Sequence, residues 1–220
     1  MGKGWLNVSL MSSDGKRIEV IFDIETKKFF DEIDAHDPAA LGISIVSAYR
    51  RELDRDLNEI KGEMKSFWES DFEQMWSWFE EADRIVGYNS LGFDVPAVNG
   101  VYQGDFTKLK HFDVLKVIKD VFGHRVKLDS VAKETLGQGK IASGGDAVNW
   151  WAKGDPESLA NLKKYCEMDV EVTKRVYDFG LKNRKLKFKD HWNELREIEV
   201  DFSYPPETVA KTTDLQMGLF

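Results

Sequence analysis

The chain has 220 residues, 42% of them hydrophobic and 32% charged, a formal net charge of −8 and one cysteine, Cys166. That length allows one sizeable core with a short tail, and a single cysteine excludes an internal disulfide or a cysteine zinc cluster. No apolar run approaches the ~20 residues of a membrane span. The stretch from Met1 to Leu10 lacks the basic-then-apolar layout of a secretory signal, so a reducing cytoplasm is the expected location. The acidic balance argues against a protein that wraps duplex DNA, whose phosphates call for Lys and Arg.

Ile18, Val20, Ile21, Phe22 and Ile24 form a nearly continuous apolar run, the pattern of a central strand buried on both faces. Leu41 to Tyr49, rich in Ile and Val, reads as a second strand, and the charged stretch 51–63 as a strand edge or a loop. Phe72, Met75, Trp76 and Phe79 recur at helical spacing and predict a helix over 67–82, capped by Ser70 or Asp71. Arg84 to Tyr88 is a short strand. A helix from Phe93 to Tyr102 should follow it, with Pro96 tolerated in its first turn. His111 to Val114 leads as a strand into a helix through Phe122, and Leu128 to Leu136 is a helix stopped by Gly137 and Gly139. Pro156 to Leu181 is the longest helix, with Asp155 as its N-cap. Strands first, then strands alternating with helices, indicate α/β layers around a mixed sheet. Beyond Asn183 the pattern weakens, and from Pro205-Pro206 to Asp214 the polar composition reads as a tether.

Asp23 and Glu25 end the apolar run. Residues two apart on a strand share a face, so two poorly solvated like charges become neighbours, and a divalent cation compensates them most directly. A polar strand end meeting solvent is the alternative. Asp94 follows a strand at the start of a helix, where Asp is also a common N-cap. Tyr165 and Asp169 lie four apart on the long helix, hence stacked on one face, among Leu162, Val172, Thr173 and Val176. An Asp on such a packing face needs a metal or a partner such as Lys133 or Arg175.

In this order and context the four acids resemble the DEDD exonuclease superfamily, of ribonuclease H-like fold. Its first motif, Asp-x-Glu at the end of a central strand, is matched by Phe22-Asp23-Ile24-Glu25-Thr26. The second, Asp after Asn-x-x-x-Phe, is matched by Asn89 to Asp94, and the third, Tyr-x-x-x-Asp on a late helix, by Tyr165 and Asp169. The histidine subclass carries its base five residues before the last Asp, where this chain has Lys164, so the tyrosine subclass is the better match. The sequence is most similar to the exonuclease domain of family B DNA polymerases and stand-alone bacterial relatives, from Ile18 to Phe179. Phe112 to Leu115 and Leu128 to Gly137 fit that group's connecting helices.

The resemblance implies a mixed central sheet of about five strands flanked by helices. It assigns residues 1–182 to an exonuclease domain, 183–204 to a C-terminal extension and 205–220 to a tail. It also implies two Mg²⁺ or Mn²⁺ ions held by Asp23, Glu25, Asp94 and Asp169. Asp23 would bridge them, Glu25 and Asp169 would lie on the nucleophile side, and Asp94 would act on the second ion through water. Tyr165 would orient the attacking water, while Thr26, Asn89 and Phe93 are candidates for holding the terminal nucleotide, Phe93 equally a core anchor. The expected activity is 3′-to-5′ hydrolysis of DNA, single-stranded at its end, in repair or proofreading. A 3′ exoribonuclease with the same site, or a weakly catalytic strand-binding or clamp-docking subunit, are the alternatives. Gln216-Met217-Gly218-Leu219-Phe220 looks like the pentapeptide with which bacterial replication and repair proteins dock on the sliding clamp. There Gln216 makes polar contacts and Leu219 and Phe220 fill the pocket, with Met217 between them. Local runs of cations (His111, Lys116 and Lys119; His124, Arg125 and Lys127; Lys182, Arg184, Lys185, Lys187 and Lys189) are either solvated faces or phosphate contacts.

Overall fold

The computed structural model describes residues 15–33, 37–137 and 146–205. Its main sheet has five strands in the order β3-β2-β1-β4-β5. They are β1 (Arg17–Thr26), β2 (Ile43–Leu53), β3 (Glu59–Trp68), β4 (Arg84–Gly87) and β5 (His111–Asp113). The β1–β2 and β2–β3 pairs are antiparallel, and β1–β4 and β4–β5 are parallel. The helices are α1 (Trp76–Glu80), α2 (Asp94–Asn99), α3 (Val114–Phe122), α4 (Leu128–Leu136), α5 (Ala147–Lys153) and α6 (Pro156–Asn183). A second, two-stranded sheet pairs β6 (Lys185–Lys189) with β7 (Leu195–Glu199).

Strand β1 sits at the centre, and its alternation divides the molecule. Val20, Phe22 and Ile24 face a core completed by Phe72, Met75, Trp76 and Phe79 and by Val95, Val98 and Phe106. Ile21 faces the opposite core, built from Val114 and Ile118 of α3, Val131 of α4, and Val170, Val176 and Tyr177 of α6. Helix α6 begins as expected, with the Asp155 carboxylate accepting from the Ser158 backbone N–H (2.9 Å) and Pro156 in the first turn.

The stretch 51–63 resolves into a hairpin. β2 runs on to Leu53, and Asp54 closes the turn by accepting from the backbone N–H of Asp56 (2.9 Å) and Asn58 (2.8 Å). The alternating charges of 59–65 suit β3 as an edge strand, where they block pairing with another chain. The helix expected over 67–82 is corrected. Phe67 and Trp68 pair with Val46 and Ile45 as the end of β3, a 3₁₀ segment covers Glu69–Gln74, and only Trp76–Glu80 is α-helical. The apolar residues do share one core; sheet pairing of Phe67 overrode the helical period. Helix α2 is likewise shorter than 93–102 and stops at Gly100.

The weakest part of the sequence pattern, beyond Asn183, forms the β6–β7 hairpin. Leu186, Phe188, Val200 and Phe202 are buried in the same core as Ile21. The hairpin is also bonded to α4. The Ser130 hydroxyl donates to the Lys189 carbonyl and accepts from its N–H (both 3.0 Å), and Thr135 meets Lys187 in the same way. No described helix is long and apolar enough to cross a membrane.

Candidate active site

Asp23 and Glu25 project from β1 toward α6, on the face that also carries Glu19 and Ile21. Helix α6 runs back along this face. Its Tyr177 hydroxyl donates to Glu19 at 2.7 Å, while Cys166 reaches Asp23. The antiparallel course therefore delivers Asp169 to the end of the strand where Asp23 and Glu25 lie. Asp23, Glu25 and Asp169 each offer a carboxylate oxygen, and the three atoms lie within 4.8 Å of one another. The buried Cys166 thiol underlies them and donates to the Asp23 carbonyl at 3.5 Å.

Burial raises the pKa of every carboxylate here. Asp23 stands well above the ordinary range through burial, then through the charges of Asp94, Asp169 and Glu25. Glu25 is raised by burial and by Asp169 and Asp94. Asp169 is pushed up to about 6 by burial, opposed by a hydrogen bond from the Tyr165 hydroxyl and aided by the charge of Asp129. The charges named as acting on Glu25 (Asp169 and Asp94) and on Asp169 (Asp129) are negative. Converging carboxylates of this kind are the donor set a hard divalent ion takes. These residues fit such an ion.

Asp94 stands apart from the trio. It lies in the first turn of α2, buried, and its carboxylate accepts from its own backbone N–H and that of Ile24. Burial pushes it up to about 7 against those two bonds, with Asp113 and Asp169 adding to the rise. Its charge reaches Asp23 and Glu25, yet its oxygens are not among the three that converge.

Tyr165 is buried on α6, its hydroxyl bonded to Asp169 and its ring 6.1 Å from that of Trp150 on α5. Burial beside Asp169 and Glu25 drives its pKa far upward, so it keeps its proton at neutral pH. Thr26 is buried and its hydroxyl donates to the Lys28 carbonyl (3.0 Å). Asn89 is left-handed (φ 64°), and its side-chain oxygen accepts from Arg125 (2.9 Å). Phe93 packs on the first core with its ring 6.0 Å from exposed Phe30. Gln216, Met217, Leu219 and Phe220 lie outside the described residues.

Sequence reasoning passed over two carboxylates of this neighbourhood. Asp113, at the end of β5, accepts from the backbone N–H of Asn89 (2.9 Å), Leu91 (3.0 Å) and Lys116 (3.1 Å), so it caps α3 and ties down the segment leading to Asp94. Its signal is an Asp directly before a helical run, which reads as an ordinary cap. Asp129, in the first turn of α4, adds its charge to Asp169. No local pattern sets it apart.

A family described as RNase_H_2, of the RNase_H superfamily, matches residues 20–179. The fold is similar to a family B DNA polymerase from the hyperthermophilic archaeon Pyrobaculum calidifontis, at 18% identity and a TM-score of 0.53. That likeness covers 75% of this chain and 24% of the polymerase, so the chain spans about a quarter of that protein. No curated protein matches. With the match running across the five-stranded mixed sheet and all four acids, this chain belongs to the ribonuclease H superfamily.

Proposed function

We propose that this chain is a divalent-metal-dependent nuclease of the tyrosine DEDD type, removing nucleotides in the 3′-to-5′ direction from single-stranded ends of DNA in repair or proofreading. The observation that carries the reading is the approach of Asp23, Glu25 and Asp169 to within 4.8 Å. Those three residues would hold the metal, with Asp94 acting from just outside them. Bound Mg²⁺ or Mn²⁺ supplies charge relief for the phosphoryl oxygens and a more acidic water. The chain's own groups set the rest. Tyr165, protonated and donating to Asp169, orients a water by accepting from it through its phenolic oxygen and is a poor general base. Arg125, bonded to Asn89, brings positive charge to the same rim for a phosphate. Phe93 and exposed Phe30 offer an aromatic edge for the terminal base.

Asp23→Ala should abolish Mg²⁺-dependent release of mononucleotides from a 3′-labelled single-stranded DNA while leaving the circular dichroism spectrum unchanged. Undiminished release by that variant would end the proposal. A matched RNA strand in the same assay decides the sugar: faster cleavage of RNA would reassign the substrate to an exoribonuclease with the same site.

The order Gln216, Leu219, Phe220, beyond a Pro205-Pro206 tether, supports docking of this segment on a sliding clamp. Deleting residues 216–220 should remove co-elution with the clamp and leave cleavage of short oligonucleotides intact. Persisting co-elution would refute the docking.

A further inference from the structure

We propose that the tip of the β6–β7 hairpin is a base-stacking platform for the single strand leading into the site, with Trp192 as its main contact; this rests on the nuclease reading above. Trp192 is 67% exposed, the most exposed of the large hydrophobic residues among those described. A single exposed aromatic is ordinary on a surface; Trp192 is set apart by the series of rings that continues beneath it. The turn beneath it is closed by hydrogen bonds to one carboxylate. Asp190 accepts from the backbone N–H of Trp192 (2.9 Å) and Glu194 (3.0 Å) and from Arg196 Nε (2.7 Å).

Rings continue from the tip down to the core. Trp192 lies on His191 (centroids 3.4 Å apart), His191 faces His124 (5.9 Å), and His124 faces Phe122 (5.7 Å), whose ring is seated on buried Phe188 (4.9 Å). His124 adjoins Arg125, whose guanidinium donates to Asn89; the Asn89 N–H donates to Asp113, whose charge acts on Asp94. The hairpin is also anchored on α4. Lys189 is bonded to Ser130, the neighbour of Asp129, whose charge acts on Asp169. Arg125 and Lys127 are exposed along this path and Lys189 is half-buried at its end.

Exposed rings with Arg125 and Lys127 close by in the chain match a single-stranded nucleic acid, in which each base has a face to stack and each linkage a charge. A folded protein partner would instead require a broad apolar face, and here the apolar area is one indole ringed by imidazoles and charges.

The test is fluorescence anisotropy of a labelled single-stranded DNA of about a dozen nucleotides. It is measured in Ca²⁺ to hold off cleavage, with the full chain and the variants Trp192→Ala, Trp192→Phe and Lys127→Ala/Lys189→Ala. Loss of one stacked base predicts about tenfold weaker binding for Trp192→Ala, with an unchanged melting temperature. Trp192→Phe should recover most of it, and the double Lys variant should flatten the salt dependence by one to two phosphates. Equal affinity of Trp192→Ala and wild type, when wild type cleaves the strand in Mg²⁺, overturns the platform and leaves the nuclease standing. A wild-type chain that neither binds nor cleaves the strand removes both.

Discussion

Glu19, Asp23 and Glu25 share one face of one strand, and their surroundings give them different chemistry. Glu19 is fully buried but accepts two bonds from Arg51 (2.9 and 2.7 Å), one from Tyr177 (2.7 Å) and one from Tyr204 (2.6 Å). Asp23 and Glu25 are buried beside each other, Asp169 and Asp94, with the Cys166 thiol against Asp23, and burial and then those charges raise their proton affinities. The sign of the consequence follows from linkage. A carboxyl with a raised folded-state pKa binds more protons folded than unfolded, so stability falls as pH climbs from the unfolded value through the folded one. The window here runs from about 4 through about 6 for Asp169 and about 7 for Asp94. Metal-free protein should therefore melt lower as pH rises across that window. The gain on adding Mg²⁺ or Mn²⁺ should grow at the same time, because cations bind the ionised carboxylates. Thermal melts with EDTA and with each cation, at about pH 5 and about pH 8, check both trends. A cation increment equal at the two pH values would contradict this account. The Asp-x-Glu spacing was legible in the sequence; that Glu19 is neutralised and Asp23 is not was illegible, because Arg51 arrives from another strand.

Among the elements, β5 and α6 do most to set the site. β5 is three residues long, yet its last residue, Asp113, fixes the backbone of Asn89 and Leu91 and caps α3 at once. Replacing it with Ala orphans three N–H groups, one of them a helix cap. That should cost about 2–4 kcal/mol in urea unfolding, with Asp113→Asn retaining part of it. Wild-type stability in Asp113→Ala would refute the positioning role. α6 and its Asp155 cap could be read from the sequence almost to the residue, since a long amphipathic period with Pro in its first turn has few competing conformations. The segment 67–82 could not. Its aromatic spacing suits a helix and a short strand followed by 3₁₀ turns alike, and pairing with β2 decided between them.

At the scale of the molecule, the Glu19 network joins what the sequence separates. Arg51 also meets Asp178 (2.7 Å) and Glu59 (3.3 Å), and Arg84 donates to Tyr177 (2.8 Å) and to the carbonyl of Phe202 (2.7 Å). The network thus spans β1, β2, β3, β4, α6 and the segment after β7. Arg51→Ala would leave Glu19 charged and buried with only hydroxyl donors, and a loss of about 3–5 kcal/mol in chemical denaturation is expected. A loss below about 1 kcal/mol would mean that the tyrosines alone suffice. Because Leu186, Phe188 and Phe202 share the Ile21 core, the hairpin is part of the same folding unit as the sheet. The strand-binding platform proposed at its tip is therefore carried by the same core as β1 and α6.

The sequence by itself determined the elements with strong periodicity, the α/β class, and the types and order of the acids, because these depend on neighbours one to four residues away. Tertiary structure alone decided the rest. It set Asp94 back from the trio by bonding its carboxylate to the Ile24 N–H, and it brought Asp129 to Asp169. It also folded the charged stretch after Asn183 onto α4. Each of these contacts joins residues dozens of positions apart, and local spacing carries no information about which distant backbone or charge will fill the space beside a side chain.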